Sequence, residues 1–384
     1  MLADSPSFRA LRPQHRRSVR VVLGVVLAGA VAVGFGGGMG DAATRAGLAL
    51  GQALAAIGTA PPLSAYRGPV SGPRARPPAQ VVFVAADLTD GDIATVARGV
   101  QQAVAAIGWP PLQILDGQGT NGGQAQALES ALNARPGGII LGGFDAAGQQ
   151  RALREARAQG VPVVGWHAAP EPGPDPKAGL FTNVSADPGQ LARATADYVI
   201  AGSKGSAGAV ILTDPEYAFD TSVSSLLASD MRSCRHCSVQ VVDLPIATAP
   251  VQTVSATAVL LHELGGRFGY LLALNGAYIE GARIALVDAG RSGDQPPFCV
   301  SVGGGNEAEF SQIRADSYQK ASVAEPLDLE GWQLVDEINR ARAGRPPSGY
   351  VPPPYVITQS DVPNSGNFDP TSGYQENYLH IWGR

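Results

Sequence analysis

Three cysteines are the first residues of this sequence whose types and spacing could carry chemistry. Cys234 and Cys237 form a CxxC pair, and Cys299 lies apart from them in an apolar run. In an exported protein this spacing favours a local disulfide, with a redox pair or a metal site as the alternatives. Because no second CxxC and no HxxxH accompanies the pair, we expect a disulfide between Cys234 and Cys237, a buried thiol at Cys299 and no metal site.

A glycine-rich stretch, GQGTNG at 117–122, matches the GxGxxG pattern of dinucleotide-binding loops. It follows a predicted strand and precedes a predicted helix, which is the context that such a loop requires. However, it belongs to the second strand–helix unit rather than the first, and Asp116 would repel a pyrophosphate. We therefore interpret the stretch as a tight turn and expect no cofactor, with a Rossmann-type enzyme as the alternative.

Histidines are the remaining candidates for acid–base chemistry. His236 lies inside the CxxC pair, and His262 lies on a predicted helix. His167 follows Trp166 at the end of a predicted strand, where a ligand contact and a structural role are both open. The sequence has no GxSxG motif, no evident Ser/His/Asp order and no His–Glu spacing of a metalloprotease. We therefore expect that the protein is not an enzyme.

The composition indicates a folded and acidic protein. Hydrophobic residues make up 45% of the 384 residues and charged residues 16%, which supplies enough apolar material for a core. The length suits two domains. The net charge is −5, and five arginines precede residue 21, so the rest of the chain is more acidic still. Since phosphate contacts need a basic face, we expect no nucleic-acid partner.

Residues 1–40 have the pattern of an export signal. The five arginines precede the apolar run VVLGVVLAGAVAVGF, as a basic segment precedes the apolar core of a signal peptide. The run is short and glycine-rich for a membrane span, which needs about 20 apolar residues. No cysteine follows it to carry a lipid. We expect a signal peptide and an exported protein, with an uncleaved N-terminal anchor as the alternative.

Elements are predicted from residue 41 onward. Residues 41–79 predict a short alanine-rich helix, Leu48 to Ile57, and a linker rich in proline and glycine. Apolar runs then alternate with helical patterns, which predicts βαβ units on parallel sheets. The predicted strands are 81–86, 112–115, 138–143 and 161–166 in a first series, and 209–213, 239–244, 270–275 and 299–304 in a second. The fold class is therefore α/β, with two doubly wound parallel-sheet lobes whose ligands bind beyond the carboxyl ends of the strands.

Four linked stretches are characteristic of one known family. They are GVQQAVAAIGW with DGQG, GGIILGGFDAAGQQRALREARAQGVPVVGW, ALNGAY, and KASVAEPLDLEGWQLVDEINRARAG. Through them, and through the tail DPTSGYQENYLHIWG, residues 80–384 resemble type I periplasmic solute-binding proteins of ABC importers, in the ribose-binding group. The resemblance implies two lobes joined by a three-strand hinge, with one solute held between them.

The resemblance also implies where the lobes begin and end. The N-terminal lobe is expected at 80–167 with 326–349, and the C-terminal lobe at 168–325 with 350–384. The crossovers are then expected near 167–169, near Glu325 and near Tyr350. A helix from Leu329 to Ala343 would return the chain to the first lobe.

The sugar-binding members of that family imply a set of candidate ligand contacts. Their Asp–Arg pair after the fourth strand falls on His167 and Ala168, and their second-lobe arginine falls near Ser222, so most of the residues that hold a pyranose are replaced. The asparagine after the ALN strand is retained as Asn275. The candidates that the resemblance brings to the cleft are Asp90, Asp92, Trp166, His167, Tyr217, Asn275, Asn306 and Glu325.

These candidates are rich in hydrogen-bond acceptors and poor in arginine. Such a set favours a neutral polyhydroxylated or a cationic solute over a carboxylate or phosphate. Trp166 or Tyr217 can offer an aromatic face to a sugar ring or a cation, and we expect Asn275 and Glu325 to be the firmest contacts. For Asp90 and Asp92, helix caps or solvated rim positions are the alternative.

The function that the resemblance implies is that of a periplasmic solute-binding protein. It would capture a small sugar-like or polyol-like solute as a monomer and deliver it to an ABC-type permease. A sensory protein that presents its ligand to a membrane receptor is the alternative. A regulator of the lac-repressor type shares the two-lobed body, but the export signal, the acidic charge and the lack of an N-terminal helix-turn-helix argue against it.

Overall fold

The computed structural model describes residues 64–364 and 366–384. The signal sequence expected at 1–40 and the helix expected at 48–57 lie outside these residues. Residues 64–80 form an irregular segment that leads into the first strand. None of the helices within the described ranges is long and apolar enough to cross a bilayer.

The first lobe is built on a six-stranded sheet in the order β2-β1-β3-β4-β6-β5. All neighbouring strands are parallel except β5 and β6. Strands β1, β3 and β4 consist of buried residues, because helices cover both faces of the sheet. The strands are β1 Val81–Ala85, β2 Gln113–Asp116, β3 Gly138–Gly142, β4 Val163–Trp166, β5 Gly173–Asp175 and β6 Leu180–Val184, with helices α1 Gly91–Ile107, α2 Asn121–Asn133 and α3 Gln150–Gln159.

The second lobe repeats this plan on a sheet in the order β12-β11-β10-β9-β7-β8. Only β12 runs antiparallel to its neighbour. The strands are β7 Gly208–Thr213, β8 Ser238–Asp243, β9 Tyr270–Ala273, β10 Phe298–Val302, β11 Gln319–Ala324 and β12 Tyr355–Thr358. The helices are α4 Pro188–Gly202, α5 Ala218–Ser233, α6 Ala249–Leu264, α7 Gly276–Asp288 and α8 Glu307–Arg314. The predicted α/β fold of two doubly wound lobes is confirmed.

Two later helices complete the first lobe. Helix α9, Leu327–Arg342, follows β11 of the second sheet and packs against α1, β4 and β6. Helix α10, Tyr374–Trp382, follows β12 and packs against α9. Trp332 of α9 stacks on Trp382 of α10 with ring centroids 5.6 Å apart. The chain therefore returns to the first lobe twice after entering the second.

The lobe boundaries differ from the predicted ones at two places. Residues 168–184, expected in the second lobe, contain β5 and β6, and β6 pairs with β4 in the first sheet. The crossover expected near 167–169 is therefore wrong, because Leu180 and Val184 are buried in the core of the first lobe and the chain leaves it only after β6. Residues 374–382 were also expected in the second lobe, but α10 buries its aromatic side chains in the first.

The cysteines occupy the states that the sequence predicts. Cys234 and Cys237 are joined in a disulfide that closes the turn between α5 and β8. Cys299 is a buried free thiol in β10, and burial raises its pKa to about 12. A thiol with so high a pKa is almost entirely protonated at neutral pH and is a poor nucleophile.

The glycine-rich stretch at 117–122 forms a tight turn into α2. Gly119 has a φ of +65°, which glycine adopts without strain. The amide groups of Gly117 and Gly119 donate to the carbonyl oxygens of Ala85 and Ala86, and Thr120 caps the helix. Because these amide groups already have partners, the turn offers little to a pyrophosphate.

Candidate functional site

The loops at the carboxyl ends of the two sheets contact one another. Asp90 and Asp92 follow β1, Asn275 follows β9, and Asn306 follows β10. In open parallel sheets this edge is where ligands bind, since the helix N-termini and the strand ends converge there. The side chains that meet across the two lobes therefore form the candidate site.

Asp90 and Asn275 are the first pair that bridges the lobes. Asp90 is the N-cap of α1, where its Oδ1 accepts from the amide groups of Asp92 and Ile93. Asn275 is the N-cap of α7, where its Oδ1 accepts from the amide group of Ala277. The Nδ2 of Asn275 then donates to Oδ2 of Asp90 at 2.7 Å. Each residue thus caps its own helix and uses its remaining polar atom to bind the other lobe.

Asp92 and Asn306 form a second bridge of the same kind. Asn306 is the buried N-cap of α8, and its Nδ2 donates to Oδ1 of Asp92 at 2.9 Å. Gly91 lies directly beneath this contact, since a Cβ there would come within 3.0 Å of the Asn306 side chain. A glycine at this position therefore allows the two lobes to approach closely.

A third contact between the lobes uses Asp145, which sequence reasoning did not include in the site. Asp145 precedes the short helix at 146–149, but its side chain caps no helix of its own lobe. Instead, Oδ2 of Asp145 accepts from the amide group of Ala218 at the start of α5, at 3.0 Å. The neighbouring Tyr217 packs against the apolar core of the first lobe, although it belongs to the second. Burial raises the pKa of Tyr217, which therefore stays protonated.

The side chain of His167 is enclosed at the hinge. Its ring stacks between Trp166 and Phe219, with both centroid distances at 4.0 Å. Trp166 is only 3% exposed and donates through Nε1 to Oε2 of Glu330 at 2.8 Å. One face of Trp166 is therefore covered by His167, and Phe219 is an aromatic contact that the sequence did not predict.

Glu325 is fully buried at the second crossover. Its carboxyl group accepts from the amide group of Ala186 at 2.7 Å and lies 3.1 Å from Nε2 of His167. Burial lowers the pKa of His167 to about 4, so the ring is neutral at neutral pH, and its Nε2 shares a hydrogen bond with Oε2 of Glu325. Burial raises the pKa of Glu325 to about 7. Ala186 lies in the crossing after β6, and Glu325 lies in the crossing from β11 to α9. The hydrogen bond between them therefore links these two crossings.

Burial raises the pKa values of further carboxyl groups of the site. Burial, and then the charge of Glu325, raises the pKa of Glu330 well above its usual range, so Glu330 is protonated. Burial raises the pKa of Glu309 to about 7, although Ser301 and Ser322 donate to it. Burial, and then the charge of Glu309, raises the pKa of Asp92 as well.

The site contains no basic partner for these acids. Within residues 64–364 and 366–384, no arginine or lysine forms an ion pair with the acids of the two preceding paragraphs. The same part of the chain has no group of His, Cys, Asp and Glu side chains that could hold a metal ion. Protonated carboxyl and amide groups both donate and accept, so the arrangement can bind hydroxyl groups but is unsuited to anions.

The structure brings all eight predicted residues to one region, but in two groups. Two pairs bridge the lobes, Asp90 with Asn275 and Asp92 with Asn306, and all but Asp92 are helix caps. Tyr217 packs against the core of the first lobe. The other three predicted residues lie at the hinge. Glu309, Glu330, Asp145 and Phe219 were missed. Of these four, only Asp145 could have been included from the sequence, since it follows a strand of the first sheet, as Asp90 does.

The chain belongs to the periplasmic binding protein family, because residues 81–346 match the family model described as periplasmic binding protein domain. The resemblance predicted from the sequence is thereby confirmed. No curated protein matched the chain.

Solved structures show the same fold at low sequence identity. A glucose–galactose binding protein from Geobacillus stearothermophilus has a TM-score of 0.64 at 16% identity, over 75% of this chain and 100% of its own. A sugar ABC transporter from Yersinia enterocolitica has a TM-score of 0.64 at 15% sequence identity, over 80% of this chain and 96% of its own. The binding-protein component of the arabinose ABC transporter from Shewanella sp. ANA-3 has a TM-score of 0.62 at 17% sequence identity, over 79% of this chain and 95% of its own.

The buried carboxyl groups predict that the protein is more stable at pH 5.5 than at pH 8. Glu309 and Glu325 have folded-state pKa values of about 7, raised above their unfolded values, so stability falls as the pH rises through this range. His167, with its lowered pKa, has the opposite effect below about pH 6.5, but it is one group against several. We expect the free energy of unfolding in urea to be at least about 1 kcal/mol larger at pH 5.5.

A Glu325→Gln variant is the matched test of this pH dependence. The amide preserves the shape of the carboxyl group but does not titrate, so the difference between pH 5.5 and pH 8 should shrink. A wild-type protein whose stability rises between pH 5.5 and pH 8 would contradict the assignment of protons to these carboxyl groups.

Proposed function

We propose that this protein captures a neutral polyhydroxylated solute, of the sugar or polyol type, between its lobes and delivers it to an ABC-type permease. The observation that carries the proposal is the pairing of amide and carboxyl side chains across the lobes, without any basic partner. Asn275 and Asn306 present donors and acceptors from one lobe, and Asp90 and Asp92 present acceptors from the other. Such groups can exchange their mutual hydrogen bonds for bonds to solute hydroxyl groups.

The protonated acids favour a neutral solute over a cationic one. A cation gains most from ionised carboxylates, whereas burial raises the pKa values of Asp92, Glu309 and Glu325. The solved proteins of similar fold support the same class, since their descriptions name glucose, galactose and arabinose. An anionic solute is disfavoured because, among the described residues, no arginine forms an ion pair with the acids of the site.

The proposal gives the two groups of site residues different roles. Asp90, Asp92, Asn275 and Asn306 would contact the solute, and Tyr217 would cover it with its ring. Trp166, His167 and Glu325 would form the wall at the hinge and hold the crossings in register. Closure would bury the solute, and the closed form would be the one that the permease recognises.

The proposal also covers location and assembly. The protein would act in the periplasm as a monomer, without catalysing a reaction, and its recipient would be a permease rather than a sensory receptor. The descriptions of the similar structures name ABC transporters, which supports the permease. The described side chains that meet in the cleft form no pair of nucleophile and activating base, which supports a binding role.

A thermal-shift screen of residues 64–384 tests the proposal. The panel contains monosaccharides, polyols, amines and small carboxylic acids, and we expect a monosaccharide or polyol to raise the melting temperature. At 100 times its dissociation constant, such a ligand stabilises the folded state by about 2.7 kcal/mol. Stabilisation by amines or acids alone, or by no compound in the panel, would contradict the proposal.

A further inference from the structure

A second cavity lies at the edge of the first sheet that is opposite to the cleft. It has a volume of about 990 Å³. Its walls are the segments that lead into β3, β4 and β6, together with the end of α9. These are the amino ends of the strands, whereas the candidate solute site lies at the carboxyl ends. The cavity is therefore separate from the site described above.

Three arginines line this cavity, and no acidic side chain does. They are Arg135 after α2, Arg157 in the last turn of α3, and Arg342 at the end of α9. Among the described residues, none of the three forms an ion pair. In a chain of net charge −5, three guanidinium groups without an acidic partner concentrate positive potential in one concave place.

The backbone at Arg135 gives no local reason for an arginine. Its φ is +47°, a conformation that glycine or asparagine adopts more easily. Asp175 does not line the cavity and forms no ion pair among the described residues; its Oδ1 accepts from the amide groups of Lys177 and Ala178 in its own turn. The charge of Arg135 is therefore left to act on the cavity.

Arg342 is held in place with one donor unused. Its Nη2 donates to the carbonyl oxygen of Pro77 at 2.9 Å, and its guanidinium lies 5.0 Å from the centre of the Trp109 ring. Its Nη1 is buried and has no hydrogen-bond partner within the described part of the chain. A buried donor without an acceptor is unfavourable, and an anion in the cavity would supply the acceptor.

We propose that this cavity binds an organic anion with two or more carboxylate or phosphate groups. Guanidinium groups bind both kinds of group in a bidentate manner, and the remaining walls, including Val161, Leu180 and Phe181, suit an apolar portion. The anion would be either a free metabolite-sized molecule or the headgroup of an anionic lipid, which share this chemistry. The site is independent of the solute between the lobes.

The test compares two double variants with equal changes in charge. Arg135→Gln with Arg157→Gln removes two cavity arginines that form no ion pair among the described residues. Arg151→Gln with Arg154→Gln, on exposed positions of the same helix α3, is the control because neither residue lines the cavity. Binding of citrate is measured by calorimetry at low salt, and binding of phosphatidylglycerol and phosphatidylcholine vesicles by sedimentation.

We expect citrate, or phosphatidylglycerol vesicles and not phosphatidylcholine vesicles, to bind the wild type and the control. Citrate binding identifies a free anion, and selective vesicle binding identifies a lipid headgroup. In either case the cavity variant should bind at least tenfold more weakly, and added salt should weaken binding to the wild type. Equal loss in both variants, unchanged binding in the cavity variant, or no binding of either probe to the wild type would overturn the proposal.

Discussion

Replacing Trp382 with alanine should lower the free energy of unfolding by about 3–5 kcal/mol. The side chain is 2% exposed and stacks on Trp332 with an angle of 5° between the ring planes. Its Nε1 also donates to Oδ1 of Asp336 at 2.9 Å, inside the first lobe. The alanine variant therefore loses a large apolar contact and leaves a buried carboxyl oxygen without its donor. Urea denaturation followed by circular dichroism measures the difference.

Two controls separate these contributions. Trp382→Phe retains most of the stacking but removes the Nε1 donor, so its loss should be smaller than that of the alanine variant. Val251→Ala removes apolar atoms at a position that is 76% exposed and should change stability by less than about 0.5 kcal/mol. A loss below about 1 kcal/mol for Trp382→Ala would show that α10 does not contribute to the core of the first lobe.

The position of α10 shows what the sequence could not specify. A helix of this length has an apolar face that any exposed apolar surface of either lobe could cover. The choice depends on Trp332 and Asp336, which lie on α9, about 50 residues earlier in the chain. The crossover after β6 was missed for a similar reason. No strand was predicted at 180–184, and the pairing of β6 with β4 is what assigns this segment to the first sheet.

The candidate site was predictable where its residues sit at strand ends. Asp90, Asn275 and Asn306 follow strands and precede helices, which places them at the edge where parallel sheets bind ligands, and the family resemblance selected them among the residues of these loops. Their partners were not, because the pairing of Asp90 with Asn275 depends on how closely the lobes approach. Glu330 lies within α9, where a glutamate normally points to solvent. Its burial follows from the docking of α9 onto the first sheet.

Aspartate substitutions at Asn275 and Asn306 should separate helix capping from closure of the lobes. Aspartate caps a helix as well as asparagine does, so α7 and α8 should keep their N-termini. It cannot donate, however, and it places a carboxyl group against Asp90 or Asp92, where Nδ2 atoms now lie at 2.7 and 2.9 Å. The double variant should therefore lose the Nδ2 donor of each bridge between the lobes while each lobe stays folded.

The expected result is a loss of solute affinity of at least about 100-fold at pH 8. Each lost buried hydrogen bond costs about 1–3 kcal/mol, and about 1.4 kcal/mol corresponds to a tenfold change in affinity. Affinity for the sugar identified by the screen should recover in part at pH 5.5, since a proton shared between two facing carboxyl groups restores a donor.

Asn133→Asp, at the exposed end of α2, is the control and should bind like the wild type at both pH values. Circular dichroism of the double variant at pH 8 checks that it is folded there, so that the recovery reports a restored bridge and not refolding. Calorimetry that finds unchanged affinity in the double variant at pH 8 would contradict the role of these asparagines in binding.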